Sequence, residues 1–235
     1  MMSAKIKNLA TYFQEGGVYE VLQRLTAAEL LPEWLLYFCE AQILRRDRPD
    51  LRATVRPLVG YEYGQADSRA MEELLACSGA AGNPARRRFF QDSFDHGAHC
   101  HVMRHDGRIV AFCWTFENTY LLTFDDYRRK TLVIALDPDS VFLGNVFVAA
   151  AHRRRGVSSH LINQVASQWP ERTRLYSWVE RTNTPSLQAH HHLGFVPLTY
   201  ILCVTICGLT GYWIRPASET DWHHALTAEL GSLRL

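Results

Sequence analysis

Val146-Phe-Val-Ala-Ala-Ala-His-Arg-Arg-Arg-Gly-Val-Ser158 is the stretch on which the fold turns, because an apolar strand passes through a basic, glycine-containing turn directly into a helix. Upstream, Val141-Phe-Leu-Gly-Asn-Val-Phe-Val148 is nearly continuous in apolar, β-branched and aromatic side chains, the pattern of a strand buried on both faces. Downstream, Val157, Leu161, Val165 and Trp169 recur every four residues and Pro170 follows. That spacing predicts one apolar helical stripe with a stop behind it. The first N–H groups of such a helix have no partner within it, so they and the helix dipole face whatever anion sits in the turn. Arg153, Arg154 and Arg155 add positive charge there. Taken alone, an arginine-rich helix start also fits a solvated cap, and a second segment is needed to choose.

That segment is Leu175-Tyr-Ser-Trp-Val-Glu-Arg-Thr-Asn183-Thr-Pro-Ser186-Leu-Gln-Ala-His190-His-His-Leu-Gly194-Phe195. Thr184 suits an N-cap, Pro185 the first helical position, and Gly194 a left-handed C-terminal cap. Ser186 and His190 are four apart and share one face of this short helix, with Asn183 at its mouth. Such a polar line beside an anion site can hold an amide-rich chain by hydrogen bonds.

The two segments together resemble the signatures of the GNAT N-acetyltransferase superfamily. In the first, a strand ending in Val leads to Arg/Gln-x-x-Gly-x-Gly/Ala, matched here by Val148 and Arg153-x-x-Gly156-x-Ser158. In the second, Asn-x-x-Ala/Ser-x-x-x-Tyr-x-x-x-Gly-Phe is matched by Asn183, Ser186, Gly194 and Phe195. The resemblance runs from Leu51 to Pro216. It implies an α/β (α+β) fold of the acyl-CoA N-acyltransferase type, a mixed central sheet flanked by helices, with the Phe195 strand closing the sheet. It also implies acetyl-CoA, or another acyl-CoA, as co-substrate. The pyrophosphate would sit on Arg153, Arg154, Arg155, Gly156, Val157 and Ser158, and the pantetheine arm along Phe147 and Val148 and against Asn183 and Ser186. The amine attacks the thioester directly, without an acyl-enzyme, and a backbone N–H of the central strand holds the oxyanion.

One position departs from the pattern. Where the family carries a Tyr that protonates the departing thiolate, this chain has His190. An imidazole with a pKa of about 6.5 can protonate a thiolate with a pKa of about 8.5. The other reading takes His190, His191 and His192 as polar residues of a surface helix, which is the reading adopted for His191 and His192, about 100° and 200° around from His190. For the base, the central strand offers only Asn145. Glu117, after the strand Ile109–Phe116, and Glu180, after the strand that starts the second segment, are the candidates. Both also fit solvated strand-end charges, and an ammonium can lose its proton through water.

Elsewhere, His101-Val-Met-Arg-His-Asp106-Gly107-Arg-Ile-Val-Ala-Phe reads as a hairpin on an Asp-Gly type I′ turn. Thr54–Val59 is the expected first strand, and Arg69–Ala76 and Arg86–Phe94 the expected helices. Tyr120–Asp139 is the least patterned region, with Phe124–Lys130 taken as a solvated connection rather than a substrate loop. The expected organisation is an extension over 1–50, the acyltransferase domain over 51–216 and a tail over 217–235. Within the extension, Ile6, Leu9, Ala10 and Phe13 lie at helical spacing, and Trp34-Leu-Leu-Tyr-Phe-Cys39 suggests an edge strand. A lid or dimer surface over the acceptor pocket is the alternative, and Arg45-Arg-Asp-Arg48 would suit a membrane surface.

At 235 residues and 47% hydrophobic, the chain can bury one substantial core. Its 25 basic and 24 acidic side chains nearly cancel, unlike the basic excess of a nucleic-acid binder. The six scattered cysteines form no Cys-x-x-Cys pair, and no secretory pattern or 20-residue apolar span appears, so a cytoplasmic protein with reduced thiols is expected. His96, His99 and His101 lack partners at zinc spacings, and no metal is expected. The expected acceptor is a small-molecule amine or amino sugar, with a protein amine as a further option, and a homodimer is compatible. Long-chain acyl-CoA or acyl carrier protein as donor, and a non-catalytic acyl-CoA sensor, are the competing functions.

Overall fold

The computed structural model describes residues 35–47, 58–123, 131–169 and 174–220, with isolated positions at 21, 22, 25, 32, 223, 224 and 227–229. The expectations on Ile6 to Phe13, Arg48, Thr54 to Pro57, Phe124–Lys130 and Pro170 lie outside the described residues. In chain order the elements are β1 (Leu36–Arg46), β2 (Tyr61–Ala66), α1 (Met71–Cys77), α2 (Pro84–Asp95), β3 (His99–His105), β4 (Arg108–Phe116), β5 (Thr119–Thr123) and β6 (Thr131–Ala135). Then follow β7 (Ser140–Val148), α3 (Val157–Ser167), β8 (Arg174–Glu180), α4 (Thr184–His192), β9 (Val196–Ile206), β10 (Leu209–Pro216), β11 (His223–His224) and β12 (Thr227–Glu229).

Among the described residues nine strands form one mixed sheet in the order β11-β10-β9-β1-β8-β7-β4-β3-β2, and β12-β6-β5 form a second. In the large sheet only β7 and β8 run parallel, joined by the α3 crossover, as a parallel pair requires. The hairpin β3–β4 turns at Asp106 and Gly107, both with positive φ, as the Asp-Gly pair predicts. Helix α2 starts on Asn83, whose side chain accepts from the N–H groups of Ala85 and Arg86, with Pro84 at the first position.

One face of the large sheet carries Tyr37, Cys39, Ala41 and Ile43 of β1 with Phe142, Tyr176 and Ile201, covered by Tyr120, Leu122, Leu132 and Ile134 of the small sheet. The other carries Leu44, Leu143, Leu175 and Val179 under Val157, Leu161, Ile162 and Val165 of α3 and Leu193 and Phe195 beyond α4. A third cluster seats α1 and α2 on Val102, Phe112 and Trp114. No helix among the described residues is long and apolar enough to cross a membrane.

Four sequence expectations are corrected. The strand begun at Leu36 is interior, paired to β8 on one side and β9 on the other. Its buried Glu40 made the apolar run look interrupted, but both of its faces are covered. Arg46 is likewise buried and donates to Asn163 Oδ1 at 3.1 Å, so this arginine of the basic run does not face a surface. The strand that leads into the helices is Tyr61–Ala66, and the strand expected over Thr54–Val59 does not reach its end, since Val59 and Gly60 form a turn. The strand after Phe195 does not close the sheet, because β10 and β11 follow beyond it.

Candidate functional site

The site is made where the parallel pair comes apart. Strands β7 and β8 are in register from Ser140–Arg174 to Leu143–Ser177 and no further. Beyond that point β8 stays with β1 through Trp178, Val179 and Glu180, while β7 stays with β4 through Phe147 and Val148. A cleft therefore opens between Asn145–Val148 on one lip and Trp178–Glu180 on the other. A bulge drives the parting: Phe112 and Trp114 of β4 pair with Phe147 and Gly144 of β7, so the single residue Cys113 opposes both Asn145 and Val146. Asn145 takes a positive φ of 49°, and its side-chain oxygen accepts from Arg86 Nη1 at 3.3 Å.

The lip on β7 offers backbone. Ala149 N–H donates to Val110 O on β4 at 2.8 Å, so by alternation the peptide groups of Val148 and Val146 turn to the other edge, into the cleft. Arg153 Nε donates to Val148 O at 2.9 Å, and its guanidinium lies 5.7 Å from the Phe147 ring centroid, which itself stacks on Phe112. From Val148 the chain makes a short 3-10 turn, Ala150–His152, and then the basic turn. Arg154 and Gly156 both have positive φ, 61° and 79°. The second of these needs glycine, and it sits directly before α3, where the helix's unpaired N–H groups emerge. Alternating left-handed geometry with three exposed arginines brings backbone N–H groups and positive charge together, the arrangement that suits an anion. Val157 is buried and faces the core, so only its backbone reaches this place, while Ser158 is half-buried.

The second segment is used differently. The N-cap of α4 is Asn183, whose Oδ1 accepts from Ser186 N–H at 3.3 Å, and Thr184 is the first helical residue, which corrects the expected cap at Thr184. Gly194 has φ 81°, and Phe195 N–H returns to His190 O at 3.0 Å, a left-handed helix end as expected. Ser186 and His190 do share a face. His190 is only 3% exposed, which fits neither a surface histidine nor a ring open to the cleft. Its Nδ1 lies 2.8 Å from Ser186 O and its Nε2 3.1 Å from Ser177 Oγ. A carbonyl only accepts, so Nδ1 carries the proton and the neutral ring's Nε2 accepts from the Ser177 hydroxyl. Burial lowers its pKa, partly opposed by the Ser186 carbonyl. His191 and His192 are exposed.

The two carboxylates are not brought together. Glu117 follows Phe116, which pairs with Phe142 at the closed end, and lies 3.8 Å from His99 Nε2. Glu180 is at the open end of β8, on the face of Trp178. It is exposed, yet partial desolvation raises its carboxyl pKa, and its charge is felt by Tyr37 and Cys39 of β1. Sequence reasoning missed Glu40. This buried carboxylate accepts from Arg181 Nη1 at 3.2 Å while its backbone oxygen accepts from Arg181 N–H, fixing the turn between β8 and α4. A lone Glu in an apolar run was the available signal. Among the described residues no group of three His, Cys, Asp or Glu side chains forms a metal site.

Comparison with known proteins bears on the family and the fold. A family model described as the acetyltransferase (GNAT) family matches residues 68–195. No curated protein matches the chain. Among solved structures, a functionally unknown conserved protein from Staphylococcus epidermidis aligns at 10% identity over 78% of this chain and 65% of that one, with a TM-score of 0.54. A tandem GNAT protein from the clavulanic acid biosynthesis pathway aligns at 14% identity over 78% and 55%, with a TM-score of 0.51. A Drosophila protein aligns at 14% identity over 74% and 53%, with a TM-score of 0.50. At these identities the likeness is one of fold, and the aligned region spans 53% to 65% of those proteins' lengths.

Proposed function

We propose that this chain, which belongs to the acetyltransferase (GNAT) family, transfers an acyl group, acetyl foremost, from acyl-CoA to a primary amine by direct attack. One observation carries the reading: the unpaired edge of β7 runs straight into the Arg153–Gly156 turn at the start of α3. A pantetheine arm is a chain of amides and pairs with a free strand edge as another strand would. A pyrophosphate at its end then falls on the helix N-terminus and its arginines.

The thioester carbonyl lies in the cleft, where a β7 N–H freed by the bulge stabilises the tetrahedral oxyanion. Glu180 is the base of choice. It stands on the open lip, and its raised pKa suits it to take a proton from an attacking ammonium near neutral pH. Glu117, at the closed end, is left to its contact with His99. The acceptor is a small amine or amino sugar reaching the cleft from the Glu180 face. His190 serves as a positioning residue, since its single proton is committed to Ser186 O and burial opposes the imidazolium.

The test is to mix the protein with acetyl-CoA and a panel of amines and follow release of free thiol, with melting temperature measured alongside. Turnover with acetyl-CoA supports the reading. Turnover only with long acyl donors assigns the chain to long-chain transfer. A thermal shift without turnover across the panel makes it an acyl-CoA sensor, and no shift at millimolar CoA removes the donor site.

A further inference from the structure

The side of β5 that turns away from β6 carries backbone groups with work still to do. Leu136 N–H donates to Asn118 O at 2.9 Å, and the β5–β6 register continues from Thr119–Ala135 to Thr123–Thr131. By alternation Tyr120 and Leu122 exchange hydrogen bonds with β6, while the N–H and C=O groups of Thr119, Leu121 and Thr123 point the other way. Among the described residues no strand pairs with them there, since β5 ends the small sheet. Thr119 N–H turns back to Glu117 O at 2.6 Å. Leu121 O accepts from the Thr123 hydroxyl at 3.3 Å and keeps a second lone pair. Thr119 O, both groups of Leu121 and Thr123 N–H are therefore left for a further strand.

Across from this edge stands the second half of α2, and a cavity of about 470 Å³ lies between them. The same three β5 residues line it, opposite Phe89 and Asp92 of α2, with Phe116 and Glu117 where β4 passes towards β5. Among the described residues no Lys or Arg lines it. Its one imidazole, His96, gives the Nδ1 proton to Asp92 O at 2.6 Å. The Glu117 carboxylate stands 3.8 Å from His99 Nε2 and is half exposed. Leu121 is 45% exposed, and Phe89 and Phe116 are half-buried. Alternating backbone donors and acceptors, carboxylates and apolar side chains thus meet in one groove. A small organic cation would use only the carboxylates, and an apolar molecule only the rings. An extended peptide with a basic residue uses all three, and the cavity has the volume of a small-ligand site.

We propose that this groove binds a short extended segment of a basic peptide, which adds to β5 as a further strand. Its backbone bonds Leu121 and its neighbours, one basic side chain or terminal ammonium meets Glu117 and Asp92, and an apolar side chain rests on Phe89 and Phe116. Binding here needs neither the acyl donor nor acyl transfer.

The experiment follows fluorescence anisotropy of a labelled short peptide of alternating Lys and Val on the full chain. Saturable binding is expected, and none for the counterpart with Glu in place of Lys. The peptide N-methylated on every Val and the one N-methylated on every Lys block opposite edges of the added strand. One of them is expected to bind about tenfold more weakly or worse, and the other like the parent. Leu121→Pro removes the N–H aimed at the groove and spares the bonds to β6. It is expected to weaken binding about tenfold with little change in melting temperature. Glu117→Gln is expected to weaken it about threefold, as for an exposed ion pair. Saturating CoA is expected to leave binding unchanged. Should Leu121→Pro fold poorly, the methylated peptides still test the unmodified protein. Equal binding of the Lys and Glu peptides, or no loss with either methylated peptide, overturns the proposal. Displacement by CoA also overturns it, because the peptide then lies on the free edge of β7.

Discussion

The turn after β7 and the helix after β8 stand on opposite lips of one cleft, yet they use their residues in contrary ways. In Arg153–Ser158 the backbone is left available: Gly156 sits at φ 79°, the first amides of α3 have no partner within the helix, and the arginine residues are exposed. In Asn183–His190 the side chains are absorbed by the fold, Asn183 as a helix cap and His190 as a buried link between Ser186 and Ser177. The same degree of motif agreement therefore goes with open backbone and exposed charge in one segment, which the proposed function assigns to the donor, and with architecture in the other. Substitutions should separate them, because the first segment can fail in binding while the protein remains folded, and the second cannot lose its key residues without losing stability.

The largest effect is expected at the turn. CoA present at 100 times its dissociation constant adds about 2.7 kcal/mol of stability, and Gly156→Glu should remove all of it. A Cβ at Gly156 meets nothing within 4 Å, so the apo protein bears only the strain of a non-glycine residue in left-handed geometry, about 1–2 kcal/mol. Melting curves with and without CoA check both parts. An apo protein too unstable to measure would place Gly156 in the architectural class and dissolve the contrast.

The second effect belongs to His190 and depends on pH. Its folded pKa lies below the unfolded value of about 6.5, so below that pH the unfolded chain binds the proton more readily than the folded one. Stability from the neutral ring is complete above about pH 6.5 and is lost as pH falls. His101 acts in the same direction, its pKa lowered to about 4 by burial between Tyr63 and Thr115. His190→Phe should cost about 1–3 kcal/mol at pH 7, the penalty for stranding a buried hydroxyl and a carbonyl, and should flatten part of the loss between pH 6.5 and 4. Turnover per folded molecule should change little. A 10²-fold fall in kcat with an unchanged melting temperature would instead make His190 the thiolate's proton donor, and His190→Tyr should then recover much of it.

What the sequence disclosed follows the same division. The β7 strand, the helix stripe from Val157 and the Asp106-Gly107 hairpin were legible because periodicity and turn chemistry are local. The splay between β7 and β8 was not, since it arises from a bulge at Asn145 set against a partner strand distant in sequence. Nor was the burial of Tyr120, which lies in the least patterned stretch and is held by packing on Phe142 and Phe116 and by its bond from Trp178. His190 was read as either catalytic or exposed because a four-residue spacing gives the face of a helix but not what covers it.

Asn183 should give a smaller effect of a mixed kind. Its Oδ1 caps α4 through Ser186 N–H, so Asn183→Ala should lower apo stability by about 1 kcal/mol, as for other lost caps. Asn183→Asp keeps the acceptor and should restore it. If CoA binding weakens in both variants while Asp restores stability, the exposed amide nitrogen contacts the donor as well, and the two lips are less different than they look.

The smallest effect is expected at His191, and it fixes the register on which the second segment is read. His191 is exposed and about 100° around α4 from the buried ring of His190. Its carbonyl accepts from Gly194 N–H, a backbone bond that survives any side-chain change. Its charge reaches His190, whose pKa it helps to lower, but behind burial and the Ser186 carbonyl in size. His191→Ala should therefore move stability by no more than about 0.5 kcal/mol, as for most surface substitutions, and leave the acetyl-CoA shift and kcat unchanged. Should turnover fall at His191 and not at His190, the face of α4 turned to the cleft is the wrong one. Ser186, carried on the same face as His190, would then lose its place beside the donor.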